Sequence, residues 1–284
     1  MLKQKRVAAI HDISGVGKCS LTVALPIISA AGVECSVLPT AVLSTHTGGF
    51  TGFTYRDLTT DIAPIVRHWK SLKLHFDAIY TGFLGSYEQI DLVSQAFDKL
   101  KAEDTLIAVD PVMADNGKLY TIFDASFPQA MKELCGKADL IMPNLTEATL
   151  MLDEEYQEGP YTKAYIEELL KRLAAATKTK LIVLTGVYFD NTKLGAATYD
   201  VAKNEIRYVL GEKISGSYHG TGDVFGSALI GALMNGKPLD EAVRIAVAFT
   251  VRSISWTQKA QTELRYGVNF EANLPSYIQD LGLL

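Results

Sequence analysis

This chain of 284 residues has little cysteine, no cluster of basic residues and no long apolar run. Its three cysteines, Cys19, Cys35 and Cys135, are scattered and odd in number, and they lack the paired spacing of zinc sites. Cysteine usage of this kind excludes a zinc-stabilised module. A reducing compartment suits it best, so we expect the protein to be cytoplasmic.

The charge balance and the shortness of the apolar runs exclude two classes of partner. A net charge of −5 without a basic cluster argues against nucleic acid. The first apolar run is soon broken by His11 and Asp12, which makes it too short for a signal peptide, and no run approaches membrane-spanning length. With 48% hydrophobic residues, the sequence instead predicts a folded protein with a large core and no membrane partner.

Short apolar runs alternate with helical patterns along most of the chain. The runs lack in-and-out alternation, as expected of strands buried on both faces, and they lie at 7–10, 35–38, 78–80, 106–109, 140–142 and 181–184. The helical patterns between them lie at 21–31, 62–72, 87–100, 125–134 and 166–176. This βαβ alternation predicts a parallel sheet covered by helices on both faces.

The C-terminal third changes character. Residues 195–199 and 206–210 predict an antiparallel hairpin at the edge of the sheet, and helices follow at 224–234, 239–256 and 276–281. No repeat, low-complexity tract or linker interrupts the chain. We therefore expect one α/β domain over residues 1–284: a three-layer αβα sandwich whose central sheet is mostly parallel.

A glycine-rich motif precedes the helix at 224–234. Gly220, Thr221 and Gly222 permit a tight turn whose N–H groups converge at a helix start, and such a start binds anions. An acid inside an anion site is better placed to accept a proton than to bind the anion, so Asp223 is a candidate general base for phosphoryl transfer. The alternative is that Asp223 only caps the helix.

Residues 12–20 resemble a phosphate-binding P-loop but depart from it at two positions. Asp12 stands where the first glycine is required, and Cys19 replaces the Ser or Thr that follows the lysine, here Lys18. Sulfur is a poor ligand for magnesium. The segment is better interpreted as a strand-to-helix turn, either purely structural or lining a substrate pocket.

Polar residues follow the strands at the end where open α/β sheets bind ligands. Asp110, Asn144 and Glu147 suit a magnesium site, because magnesium needs only one or two carboxylates besides water and substrate phosphate. Asn144 and Glu147 also fit a helix-capping pair. Thr185 and Gly186 could contact a nucleotide phosphate or form a simple turn.

Taken together, these motifs carry a family resemblance. Asn-x-x-Glu at 144–147 followed by Gly-Thr-Gly-Asp at 220–223 resembles the ribokinase superfamily over nearly the whole chain. Within it, Ser-Thr-His-Thr-Gly at 44–48, Gly-Phe-Leu-Gly-Ser at 82–86 and Asp-Pro-Val-Met at 110–113 resemble pyridoxal kinases. The resemblance implies an ATP- and Mg²⁺-dependent kinase acting on the 5′-hydroxymethyl group of pyridoxal, pyridoxine or pyridoxamine. It leaves activation by a monovalent cation open.

The resemblance also implies roles for individual residues and a homodimeric state. Asp223 would be the base, and the amides of Gly220, Thr221 and Gly222 would form the anion hole. The remaining roles are metal binding by Asp110 and Glu147, nucleotide binding by Asn144, Thr185, Gly186 and Asp115 (the last in a flap at 114–120), and substrate binding by Asp12, His46, Thr47 and Phe83.

Three departures from the family pattern bear on the choice of vitamer and not on the reaction. His11-Asp12 replaces the usual Gln-Ser, Thr45 replaces Asn, and Phe83 replaces Tyr. Hydroxymethylpyrimidine kinases are an alternative, because Asp-x-Ser-Gly at 12–15 resembles their first turn; many of them, however, carry Cys where this chain has Asp223. A P-loop nucleotide switch and a non-catalytic vitamer-binding protein are weaker alternatives.

Overall fold

The computed structural model describes residues 4–284 and contains a nine-stranded sheet with the strand order β11-β10-β9-β8-β5-β4-β1-β2-β3. A separate hairpin is formed by β6 and β7. The strands are β1 Arg6–Ser14, β2 Glu34–Leu43, β3 Tyr55–Asp57, β4 Ala78–Thr81, β5 Leu106–Val109, β6 Ala114–Asp115, β7 Lys118–Leu119, β8 Leu140–Ile141, β9 Leu181–Val187, β10 Lys193–Asp200 and β11 Glu205–Glu212.

Helices connect the strands and end the chain. They are α1 Leu21–Ala30, α2 Thr59–Ser71, α3 Tyr87–Leu100, α4 Phe127–Cys135, α5 Leu145–Met151, α6 Lys163–Thr177, α7 Thr221–Met234, α8 Leu239–Lys259 and α9 Leu274–Leu281, with 3₁₀ turns at Leu264–Tyr266 and Glu271–Asn273. Their starts follow local capping chemistry: the Ser86 hydroxyl accepts a hydrogen bond from the Gln89 amide (3.2 Å), and the Thr162 hydroxyl accepts one from the Tyr165 amide (3.2 Å).

The sheet separates two apolar cores. Helices α2 to α6 pack on one face, and α1, α7, α8 and α9 pack on the other. The central strands are buried on both faces, as Val7, Ala8, Ala9 and Ile10 of β1 illustrate, because each face is covered by helices. The predicted three-layer α/β architecture is confirmed. Within residues 4–284, no helix is both long and apolar enough to cross a bilayer.

Strands β1, β2, β4, β5, β8 and β9 pair in parallel, and the predicted antiparallel hairpin is β10–β11. Two features differ from the sequence-based expectation. A short antiparallel strand, β3, closes the opposite edge, and β1 continues to Ser14 instead of turning after Ile10. The continuation follows from pairing with β2, whose register shifts between His11 and Ile13. Asp12 therefore lies at an irregularity of a strand and not in a loop.

Candidate active site

The first turn of α7 is an exposed helix N-terminus at the strand-end edge of the sheet. Gly220 is its N-cap residue and has φ +74°; a Cβ there would lie 2.1 Å from the Lys18 carbonyl oxygen. A Cβ on Gly222 would meet no atom within 4 Å, so this side of the turn faces open space. The first amides of a helix have no partner within the helix. Open space beside them suits a bound anion.

Asp223 is the third residue of α7, so it does not cap the helix. The hydrogen bond that its carboxylate accepts comes from the Ser20 backbone, on the loop before α1. Desolvation raises the pKa of the Asp223 carboxyl to about 7, and the nearby charge of Asp12 acts in the same direction. A half-buried carboxyl with a pKa near neutrality, beside free amides, has the properties of a general base.

Asp110 and Glu147 form a pair of buried carboxylates, with 7% and 3% of their surfaces exposed. Desolvation raises the pKa of Glu147 to about 8; burial also raises the pKa of Asp110, and the charges of Glu147 and Asp223 raise it further. Two adjacent buried acids without a compensating cation are costly. Their oxygen chemistry and their excess charge fit Mg²⁺.

Asn144 and Glu147 also form a complete capping box at the start of α5. The Asn144 Oδ1 accepts the Glu147 amide (2.9 Å), and the Glu147 carboxylate accepts the amides of Asn144 (2.8 Å) and Met113 (3.2 Å). The Asn144 side chain also donates to the Ala114 carbonyl (2.8 Å). The capping interpretation is therefore confirmed. These hydrogen bonds hold the β6–β7 hairpin beside Asp110 and Glu147. A nucleotide contact by Asn144 stays a prediction.

The hairpin β6–β7 is the segment expected to cover the phosphates. The Gly117 amide donates to the Thr146 hydroxyl (3.0 Å), and Asp115, which is exposed, accepts from the Asn116 amide (2.9 Å). Tyr120 follows the hairpin, and the pKa of its hydroxyl is raised by desolvation and by the charges of nearby acids, namely Glu147, Asp115, Asp110 and Asp223. Sequence reasoning included Tyr120 in the flap at 114–120 but gave its side chain no role of its own.

The expected substrate-binding residues lie on β1, on the 44–50 loop and after β4. Asp12 is buried, and its carboxylate accepts the hydroxyls of Ser20 (2.5 Å) and Ser14 (3.0 Å). Thr47 is exposed on its loop, and Phe83 is half-buried with its ring centroid 5.9 Å from that of Phe123. Both side chains are accessible enough to contact a ligand.

His46 is fixed by two main-chain contacts. Its Nδ1 accepts the Gly48 amide (3.0 Å), so its Nε2 carries the hydrogen that is donated to the Arg265 carbonyl (2.6 Å). The ring therefore shapes the 44–50 loop. Direct substrate contact by His46 stays a prediction.

Thr185 and Gly186 lie on β9 beside Asn144. The Thr185 amide donates to the Pro143 carbonyl (2.9 Å), and Thr185 bridges to Asn144 as a parallel pair. Gly186 has φ +78°, a conformation that favours glycine. The pair thus lies at the same sheet edge as the acids, and its contact with a nucleotide remains a prediction.

Comparison with known proteins agrees with this geometry. The sequence matches the phosphomethylpyrimidine kinase family over residues 25–268. The chain belongs to this family. It is a small-molecule kinase with a ribokinase-like fold.

Individual relatives refine the comparison. Pyridoxal kinase from Lactobacillus plantarum is 31% identical, with a TM-score of 0.89 and 98% of each chain covered. A Bacteroides thetaiotaomicron protein, provisionally named a phosphomethylpyrimidine kinase and crystallised with pyridoxal, is 39% identical; its TM-score is 0.91, and 97% of this chain and 96% of that chain are covered. A provisionally named pyridoxal kinase of Saccharomyces cerevisiae is 25% identical over 300 residues, which span 99% of this chain and 90% of the relative. The resemblance to pyridoxal kinases is confirmed.

Lys18 is engaged away from the strand-end site. Its Nζ donates to Asn269 Oδ1 (2.7 Å) and pairs with Glu271 (3.0 Å), in the segment that precedes α9. A P-loop lysine must instead reach the β- and γ-phosphates. The geometry therefore argues against a P-loop role for Lys18.

Lys18→Ala is expected to leave ATP affinity within about twofold of wild type, because Lys18 binds protein groups and not phosphate. The melting temperature should fall slightly with the lost contacts. Calorimetric titration of Mg-ATP, together with a thermal melt, checks both expectations. Abolished nucleotide binding in a variant that remains folded would restore the P-loop interpretation.

Proposed function

We propose that this protein transfers the γ-phosphoryl group of ATP to the 5′-hydroxymethyl group of a B6 vitamer, with Mg²⁺ as the required ion. One observation carries the proposal: the Asp223 carboxyl, with its pKa raised to about 7, sits in the first turn of α7 beside free amides and open space. A base beside an anion hole is the arrangement that phosphoryl transfer to an alcohol requires.

Each group has a distinct role in the phosphoryl transfer. Asp223 accepts the hydroxyl proton as the alcohol oxygen attacks phosphorus, and the amides of Gly220, Thr221 and Gly222 stabilise the charge on the phosphoryl oxygens. Asp110 and Glu147 would hold Mg²⁺, which supplies charge neutralisation on the nucleotide phosphates. The β6–β7 hairpin, with Asp115 and Tyr120, would exclude water from the phosphates.

The substrate class follows from the groups around Asp223. A pyridine ring offers a flat apolar face on which Phe83 can stack and a few polar substituents that Asp12 and Thr47 can bind, while His46 would act by ordering the loop that carries Thr47. The Bacteroides protein crystallised with pyridoxal supports this assignment. The expected homodimer, cytoplasmic location and monovalent-cation activation stay predictions.

Hydroxymethylpyrimidine is the second candidate substrate, because the matching family is described as phosphomethylpyrimidine kinase. A side-by-side assay of pyridoxal, pyridoxine, pyridoxamine and hydroxymethylpyrimidine with Mg-ATP decides between the two. We expect ADP release and 5′-phosphate formation with at least one vitamer. Turnover of the pyrimidine alone would transfer the assignment to the second candidate, and vitamer binding without ADP release would indicate a non-catalytic binder.

The pH dependence of turnover follows from Asp223. Since its carboxyl has a pKa of about 7 and must be ionised to act as a base, kcat should fall about tenfold per pH unit below that value and level off above it. A pH–rate profile at saturating Mg-ATP and vitamer measures this limb. A rate that stays constant down to about pH 5 would contradict the assigned base, because an unperturbed carboxyl would then be sufficient.

A further inference from the structure

His219 is a side chain at the active site to which the mechanism above gives no role. It directly precedes Gly220, the N-cap residue of α7. Its ring lies against the main chain of Gly48, where a Cβ would come within 2.6 Å of the His219 Cε1, and its centroid is 5.0 Å from that of His46. The ring is thus held between the start of α7 and the 44–50 loop.

The hydrogen-bonding capacity of His219 is unused. In the part of the chain that the structure describes, His46 has both ring nitrogens engaged, whereas neither nitrogen of His219 has a hydrogen-bond partner. His219 is half-buried, so its orientation is constrained while its ring remains accessible. A constrained imidazole with free N–H capacity is prepared to bind a ligand.

The free amides at the start of α7, which His219 directly precedes, indicate that this ligand is anionic phosphate and not a cation. His219 is close enough to Asp115 on the β6–β7 hairpin for its charge to oppose the desolvation that raises the pKa of that carboxyl. His219 thus directly precedes the α7 amides and lies within electrostatic range of the hairpin, the two segments that would enclose the transferred group. Lys18, the basic side chain of the neighbouring turn, is held by Asn269 and Glu271.

We propose that His219 is a catalytic residue that donates a hydrogen bond to the γ-phosphoryl group of ATP at the mouth of the Gly220–Thr221–Gly222 anion hole. This inference rests on the proposed phosphoryl transfer. Charge-assisted hydrogen bonds to phosphate are short and strong. An imidazole beside the amides adds a donor whose hydrogen bond strengthens as charge develops on the phosphoryl oxygens. ADP lacks this group, so His219 distinguishes ATP from ADP.

Titration calorimetry with Mg-ADP and with Mg-AMP-PNP, a non-hydrolysable ATP analogue, tests the assignment. The variants are His219→Leu, which removes the donor, and His219→Gln, which keeps an N–H; His68→Gln, at an exposed position of α2, is the matched control. For His219→Leu we expect AMP-PNP affinity to fall about tenfold, ADP affinity to stay within about twofold, and kcat to fall about 10- to 100-fold. His219→Gln should recover part of the AMP-PNP affinity.

Two outcomes would overturn the proposal. Equal weakening of ADP and AMP-PNP would show that His219 only supports the loop, and unchanged affinity for both would show that it does not contact the nucleotide. The test is separable from the proposed function. Wild-type protein that binds AMP-PNP but phosphorylates no vitamer refutes the B6 assignment, and the two affinities still decide the role of His219.

Discussion

Asp223→Asn is expected to lower kcat at least about 100-fold while fold and nucleotide affinity are retained, because the amide has nearly the same shape but cannot accept the hydroxyl proton. The loss should appear in kcat and not in the KM for ATP, since Asp223 acts on the alcohol. Steady-state kinetics with the vitamer that is turned over best measure it. Near-normal turnover would refute the role of Asp223 as the base.

The same substitution should not destabilise the protein. The pKa of the Asp223 carboxyl is raised from 3.8 to about 7 on folding, so ionising this group carries a penalty in the free energy of unfolding. The stability is therefore highest below the lower value, and it is lost as the pH rises through the higher one. Asparagine carries no such penalty. Asp223→Asn should therefore melt higher than wild type at about pH 8, and the difference should shrink towards pH 4.

An exposed carboxylate provides the control for this pair of measurements. Asp91→Asn on α3 removes a charge at an exposed position that has no assigned role in the site. It should change neither kcat nor the pH dependence of the melting temperature. Equal behaviour of the two variants would mean that Asp223 is not desolvated in the folded protein.

The predicted sheet was correct because buried parallel strands are local features of a sequence. Runs such as 78–80 and 106–109 must be apolar on both faces, and this pattern is visible without knowledge of their partners. The strand β3 was not predicted, since it pairs over three residues only and all three are exposed. Its existence depends on the neighbouring β2 and not on its own composition.

The same distinction between local and long-range features applies to the active site. The helix start at Thr221 and the approach of Asp110 to Glu147 were predictable, because glycine spacing and strand ends determine them. What the side chains bind was not predictable, because the partners are distant in sequence. The Asn144 side-chain Nδ2 donates to the Ala114 carbonyl, and the His46 Nε2 donates to the carbonyl of Arg265.

Alanine substitutions at the two glycines of the α7 turn should separate stability from catalysis. In Gly220→Ala the residue keeps φ +74°, and its Cβ would lie 2.1 Å from a main-chain oxygen that cannot move as a side-chain tip would. The strain of a left-handed alanine is about 1–2 kcal/mol, and displacement of the Lys18 carbonyl adds to it. We expect a clearly lower melting temperature and loss of most activity.

Gly222→Ala should lower activity without lowering stability. Residue 222 is helical and its Cβ would meet no protein atom within 4 Å, so alanine should keep or raise stability by about 0.5–1 kcal/mol. The added methyl enters the space assigned to the phosphoryl group, and kcat should therefore fall at least about tenfold. Gly236→Ala, with φ +75° and no atom within 4 Å of its Cβ, is the control for the backbone strain of Gly220→Ala. Full activity in Gly222→Ala would mean that no phosphate approaches this face of the helix, and the anion hole would have to be placed elsewhere.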